Sequence, residues 1–162
     1  MRGLTADEVI AKLDLAPLEG EGGYFRQTWI RESDTTGPPI GTCILYLVTP
    51  DSFSALHRLE HDEIFHFYLG DPCEAVSVDP DGRLTELTLG QDIMAGMQVQ
   101  HVVPARSWQG ARLAPGGSWA LLGTTMAPGF HIDGFELATA DDIEVFEPQV
   151  AARVRAFLAP QP

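Results

Sequence analysis

The chain is short of positive charge. Ten Lys and Arg face 23 Asp and Glu, a formal net charge of −13 over 162 residues. Binding nucleic acid rests on neutralising phosphates with Lys and Arg, so this deficit argues against a nucleic-acid partner and, on the same ground, against an anionic membrane surface. Long hydrophobic runs are also missing. The longest uninterrupted one, Cys43 to Val48, falls far short of the roughly 20 residues a membrane-crossing helix needs. Cysteine is rare: Cys43 and Cys73 lie in separate apolar stretches without zinc spacing and read as free core thiols. The stretch through Leu13 has no signal-peptide core and carries acids where a transit peptide would not, so a cytoplasmic protein is expected. No repeat, linker or low-complexity segment divides the chain, and residues 1–162 are read as one domain.

What is present is mostly β pattern. Thr5 followed by Glu8 reads as a capping box opening a short helix, with Val9, Ile10 and Leu13 as its apolar stripe. After the glycines at 20, 22 and 23, short β-branched and aromatic runs recur at about 23–30, 42–49, 54–59, 63–69, 73–79, 83–89, 97–103, 108–114 and 118–127. Turn signals separate them: "TTGPP", "DPDG", "APGG" and "APG", with "SVDPDGRL" the clearest hairpin. Many short punctuated strands predict an all-β sandwich or barrel. Pro148 at a first helical position, then Val150, Val154, Phe157 and Leu158, predicts a short amphipathic helix on its outside. The early glycines precede a strand and not a helix, which removes a phosphate-binding loop.

The functional question concentrates in "HRLEHDEIFHFYLG", residues 57–70, which holds three of the five histidines. Side chains alternate along a strand. If Glu63 points into a barrel, Phe65, Phe67 and Leu69 follow it, while Ile64, His66 and Tyr68 face away. His57 and Leu59 share a face of the preceding strand, and Glu60, His61 and Asp62 fall in the turn between.

His57, Glu63 and Gly70 resemble the first motif of the cupin superfamily, a His-x-His pair followed by Glu and, seven residues later, Gly. Leu59 stands where the second His is expected. "GMQVQHVVPARSWQ" resembles the second motif, with Arg106 at the turn glycine and Gln109 at the His position. "EGGYFRQTW", "HRLEHDEIFHFYLG", "VPARSWQGARL" and "APGFHIDGFELA" together resemble a branch of small cupins carrying a domain-of-unknown-function label, and span a core of about 21–138. The resemblance implies a jelly-roll β-barrel with short flanking helices, often a homodimer.

Metal-binding cupins present three imidazoles and one carboxylate. Transferred position by position, this chain offers His57, Leu59, Glu63 and Gln109, so a divalent metal held by His57, Glu63 and Gln109 would bind weakly and no cofactor is required. Without metal, His57 beside Glu63 suits general acid–base chemistry, the carboxylate fixing the ring's tautomer. By analogy with epimerising cupins a Tyr acts as the acid, and Tyr24 is the candidate. Arg26 is a candidate for an anionic group of a ligand. Phe65, Gln100, Trp108 and Gln109 complete the expected pocket. The reading is thus a small-molecule-binding cupin, an isomerase-like or other enzyme acting on a small polar or carbohydrate-type metabolite. The alternatives are a non-catalytic binding module, a metal-binding cupin with a degenerate ligand set, and a structural homodimer.

Overall fold

The computed structural model describes residues 3–34 and 36–159; Thr35, in the "TTGPP" turn signal, and both chain ends lie outside them. Helix α1 (Ala6–Leu13) opens with the expected capping box. The Thr5 hydroxyl accepts from the Glu8 amide at 3.3 Å, and the Glu8 carboxylate accepts from the Thr5 amide at 2.9 Å.

The strands follow as β1 (Ala16–Pro17), β2 (Tyr24–Arg31), β3 (Gly41–Val48), β4 (Ser54–Leu59), β5 (Glu63–Gly70) and β6 (Cys73–Val78). After these come β7 (Leu84–Leu89), β8 (Gln100–Val103), β9 (Trp108–Leu113), β10 (Ala120–Met126) and β11 (Phe135–Leu137). All nine predicted runs form strands. The two short strands, β1 and β11, are too brief to carry an alternation and have no signal in the sequence. The run at 97–103 is cut to four residues, because a 3₁₀ turn at Ile93–Ala95 and its left-handed cap at Gly96 come just before it. In "SVDPDGRL" the side chain of Asp79 accepts from the amides of Asp81 and Arg83 at 3.0 and 2.9 Å, closing the β6–β7 hairpin.

Two antiparallel sheets result, ordered β1-β2-β3-β10-β5-β8 and β11-β4-β9-β6-β7. Their facing sides enclose a core that includes Tyr46, Val48, Phe67, Leu89, Leu113 and Leu122. Helix α1 covers the outside of the first sheet, where Val9 and Leu15 meet Tyr24, Leu47 and Leu121. The outside of the second sheet is covered by the C-terminal segment, α2 (Ala140–Ile143), α3 (Pro148–Val154) and the turn through Phe157. Pro148 is in the first turn of α3, and Val150, Val154 and Phe157 are buried. Both faces of the central strands β4 and β9 are therefore buried, a point that decides which of their side chains can reach the barrel interior. Both cysteines are free thiols, and burial pushes Cys73 up to about 12. No described helix is long and apolar enough to cross a membrane.

Candidate functional site

One end of the barrel is filled by the core. The other holds a cavity of about 330 Å³, at the small end of the range of ligand pockets. Strand parity builds its walls. Strand β3 contributes Thr42, Ile44 and Tyr46, and β10 contributes Thr124 and Met126. From β5 come Glu63 and Phe65, from β4 His57 and Leu59, and from β2 Phe25 and Gln27. Phe130, Ile132 and Phe135, from the segment after β10, close over the mouth. That segment is pinned by Phe130 N donating to Thr42 Oγ1 at 2.9 Å and Gly129 N donating to Pro39 O at 2.7 Å.

His57 is buried, and its ring stacks on Phe135 at 5.4 Å between centroids. Its Nδ1 lies 2.8 Å from the carbonyl oxygen of Ala55. A carbonyl can only accept, so Nδ1 carries a proton, and whenever the ring is neutral Nε2 presents the lone pair. The tautomer is thus fixed by a backbone carbonyl two residues earlier on the same strand, and not by Glu63 as the sequence suggests. The nearest carboxylate to this nitrogen is Glu21, at 3.9 Å.

Glu63 is buried opposite, with its Oε2 accepting from Gln109 Nε2 at 2.9 Å. Burial raises its carboxyl above the ordinary range and the nearby Glu21 adds to this, against the charge of His57 and hydrogen bonds from Thr124 and Gln109. Tyr46, fully enclosed, donates its hydroxyl to the carbonyl of Gly22 at 2.8 Å. Burial pushes it well above the usual phenol range, and Glu21 adds to the effect. Glu21 in turn accepts from Ser54 Oγ at 2.8 Å.

Backbone freedom at two glycines makes this arrangement fit. Gly22 and Gly23 have φ of +100° and +73°; a Cβ on Gly22 would lie 2.4 Å from the carbonyl oxygen of Phe53, and one on Gly23 would lie 2.5 Å from the Tyr46 hydroxyl. The "EGG" of the sequence therefore lets β2 press against Tyr46 while Glu21 reaches Ser54.

The structure brings together His57, Glu63, Phe65 and Gln109, and separates the other candidates from them. Tyr24 pairs with Leu47 and packs under α1, outside the barrel; Arg26, beside Leu45, is exposed. Their neighbours Phe25 and Gln27 take the inward positions, because adjacent strand residues face opposite ways. The same rule separates Trp108 from Gln109. Gln109 is inward, and Trp108 joins the outer cluster under the C-terminal helices with the Arg58 guanidinium 4.6 Å from its ring centre. Gln100 pairs with His66 on the outer face, its amide 3.3 Å from His66 Nδ1. His66 faces away as parity requires, bonding Thr125 Oγ1 at 3.0 Å. His101 is in register with Phe65, and half-burial lowers its pKa, but it does not line the cavity.

Sequence reasoning missed Glu21 and Tyr46. Tyr46 sits at the centre of the longest apolar run and reads as core, yet its parity with Thr42 and Ile44 marks a face that carries polar groups. Glu21 precedes the strand, where alternation gives no direction.

The metal set of the cupin resemblance does not fit the residues present. Leu59 lines the cavity with hydrocarbon, and Gln109 turns an N–H donor toward Glu63, which leaves His57 Nε2 as the one imidazole donor of the set. Among the described residues no three or more His, Cys, Asp or Glu converge as a metal site.

Two antiparallel sheets wrapped into a barrel, with a pocket at one end, define a cupin-type domain. The chain belongs to the cupin superfamily, matching the DUF985 family over residues 7–138. It is 29% identical over 159 residues to the uncharacterized protein YML079W of Saccharomyces cerevisiae, across 86% of this chain and 79% of the yeast protein. The crystal structure of protein SO0799 from Shewanella oneidensis superposes with a TM-score of 0.88 at 29% identity, covering 98% of this chain and 100% of that one. A hypothetical protein from Leishmania major superposes at 0.87 with 26% identity, covering 97% and 100%.

Proposed function

We propose that this protein binds a small polar metabolite in the open end of its barrel and that His57 and Glu63 act on it as a metal-independent acid–base pair. One observation carries this reading: both ionisable side chains are more than nine-tenths buried and line the same cavity. A purely structural barrel gains nothing from them, since burying such groups costs free energy that apolar residues avoid. With Nδ1–H held by Ala55, Nε2 is the ring nitrogen that would take a proton from a bound molecule. Glu63, whose carboxyl burial keeps protonated to higher pH than usual, can return one. Tyr46, held as the phenol, shapes the floor. The reaction class is proton transfer, as in an isomerisation, with the aromatic mouth limiting water. The alternative of a non-catalytic binding module uses the same cavity without turnover.

The protein is proposed to work in the cytoplasm as a homodimer. The exposed Tyr68, Leu69, Val99 and Val102, on or beside strands β5 and β8, support pairing, which sedimentation would test.

A thermal-shift screen against a metabolite pool, with wild type, His57→Ala and the milder His57→Gln, tests the site. Ligands that stabilise wild type alone are expected. Equal shifts in all three proteins would overturn the proposal. Turnover of such a ligand, lost in Glu63→Gln while binding persists, separates enzyme from binder.

A further inference from the structure

Apart from His57, the ionisable groups around the cavity are acids. Glu21 and Glu63 lie within it and Glu19 stands at its rim, while no Lys or Arg lines it. Arg26, which the sequence offers as a partner for an anionic ligand, points out of the barrel and is exposed. An anionic metabolite entering here would meet acidic side chains and no Lys or Arg in a low-dielectric site, an arrangement that disfavours it.

Hydrogen-bonding capacity points the same way. The donors on the floor are already committed away from a ligand. His57 Nδ1–H goes to Ala55 O, the Tyr46 hydroxyl to Gly22 O, the Ser54 hydroxyl to Glu21, and Gln109 Nε2 to Glu63. The Thr124 hydroxyl is likewise engaged by Glu63, and the donors left on the lining are the Thr42 hydroxyl and the amide of the exposed Gln27, while the floor itself keeps acceptors: Nε2 of His57 when the ring is neutral, and the second carboxylate oxygen of Glu21. A ligand that satisfies such a floor must itself be a donor.

Burial grades the cavity from this floor to its mouth. His57, Tyr46 and Glu63 are buried, whereas Phe130 is 41% and Ile132 65% exposed. Phe25, Phe65, Phe130 and Phe135 supply ring faces along the way, and aromatic faces attract cations.

We propose that the ligand of this cavity is a small protonated amine with an apolar, ring-sized body, its ammonium group seated head-first on the acidic floor. An ammonium brings three donors, no acceptor and the complementary charge. The body fills the aromatic mouth. This deepens the functional reading above and rests on the cavity being a ligand site.

The test uses the full chain and three probes that share one body: phenethylamine, phenethyl alcohol and hydrocinnamate. Calorimetric titration and thermal shift are expected to rank the amine first, the alcohol at least about tenfold weaker, as for losing a charge-assisted hydrogen bond, and the carboxylate last. Glu21→Gln and Glu63→Gln each bring the amine closer to the alcohol. Glu19→Gln, at an exposed rim position where misfolding is no concern, gives a smaller loss that shrinks with added salt. Equal affinity for amine and alcohol, preference for hydrocinnamate, or no binding of the amine at all would each overturn the inference. The broader reading is judged separately: a neutral or anionic pool ligand whose stabilising effect depends on His57 leaves the pocket standing and the amine excluded. Absence of any His57-dependent ligand removes both.

Discussion

The side-chain amide of Gln109 donates from Nε2 to Oε2 of Glu63 at 2.9 Å, while its own Oε1 is buried with no hydrogen-bond partner among the described residues. The orientation suits an ionised Glu63. With Glu63 protonated, a half-turn of the amide would let Oε1 accept the acid proton instead. The pair therefore has two satisfactory arrangements, one for each charge state, and this gives a first prediction.

Burial raises the Glu63 carboxyl in the fold. Between its ordinary and its raised value the folded protein holds a proton that the unfolded chain has released, so stability falls as pH rises through that window. Glu63→Gln removes this titration and keeps the amide contact. The variant should melt a few degrees above wild type at neutral pH, the scale of about 1 kcal/mol in a chain this size. The gain should vanish below the ordinary carboxylate range near pH ~4. A melting difference that is independent of pH, or largest in acid, would show that Glu63 is not held at a raised value.

Gly23→Ala places a methyl group 2.5 Å from the Tyr46 hydroxyl at a φ of +73°. Both the contact and the backbone conformation are unfavourable, and a loss on the order of 2–4 kcal/mol is expected in chemical denaturation. Tyr46→Leu removes the hydroxyl together with the ring carbons that the methyl would meet at 2.6 and 2.7 Å, so the double variant should lose less than the sum of the two single variants. Additive losses would refute the coupling.

Leu59 and Gln109 are the two positions where the donor set departs from three imidazoles and a carboxylate. Leu59→His together with Gln109→His should raise affinity for a divalent transition metal by orders of magnitude over wild type, read by calorimetric titration with zinc and cobalt. Unchanged affinity in a folded double variant would mean that the four positions do not converge on one point.

Arg106 holds a left-handed φ of 63° where the resemblance calls for glycine, and its amide donates to Leu59 O at 2.7 Å. Its guanidinium meets Glu60 at 2.9 Å, but both side chains are exposed, so the pair adds little. Arg106→Gly should be neutral or stabilising, within about 1 kcal/mol, since relief of the left-handed backbone is offset by glycine's greater chain entropy. A loss beyond roughly 2 kcal/mol would assign the turn to the guanidinium.

Periodicity and punctuation made most of the fold legible. The strands around "SVDPDGRL", the Thr5–Glu8 cap and the helix after Pro148 all follow from short-range rules that act within a few residues. Half of the site was legible for the same reason: alternation from Glu63 places Phe65 inside and His66 outside, as the structure has them, but it fails at Leu69, which is exposed because a bulge opposite Leu121 and Leu122 shifts the end of β5. The failures have the opposite origin. The expected pocket holds both Trp108 and Gln109, although neighbours on one strand cannot share a face. Tyr24 and Arg26 are expected at the ligand, but the sequence alone cannot orient β2. Near the end of that strand a bulge at Thr28 shifts the register, so that Trp29 pairs with Cys43.

By itself, then, the sequence determined many short strands of an all-β sandwich or barrel and its end helices, features that depend on local propensity and on the period of a strand, which one chain carries in full. The cupin type and the His57–Glu63 pair came from the resemblance of its motifs. Only the tertiary structure decided which face of β2 looks inward, that the imidazole is oriented by Ala55, and that Tyr46 and Glu21 complete the floor. These depend on register between strands distant in sequence and on the shortage of room around Gly22 and Gly23, and no single segment encodes them.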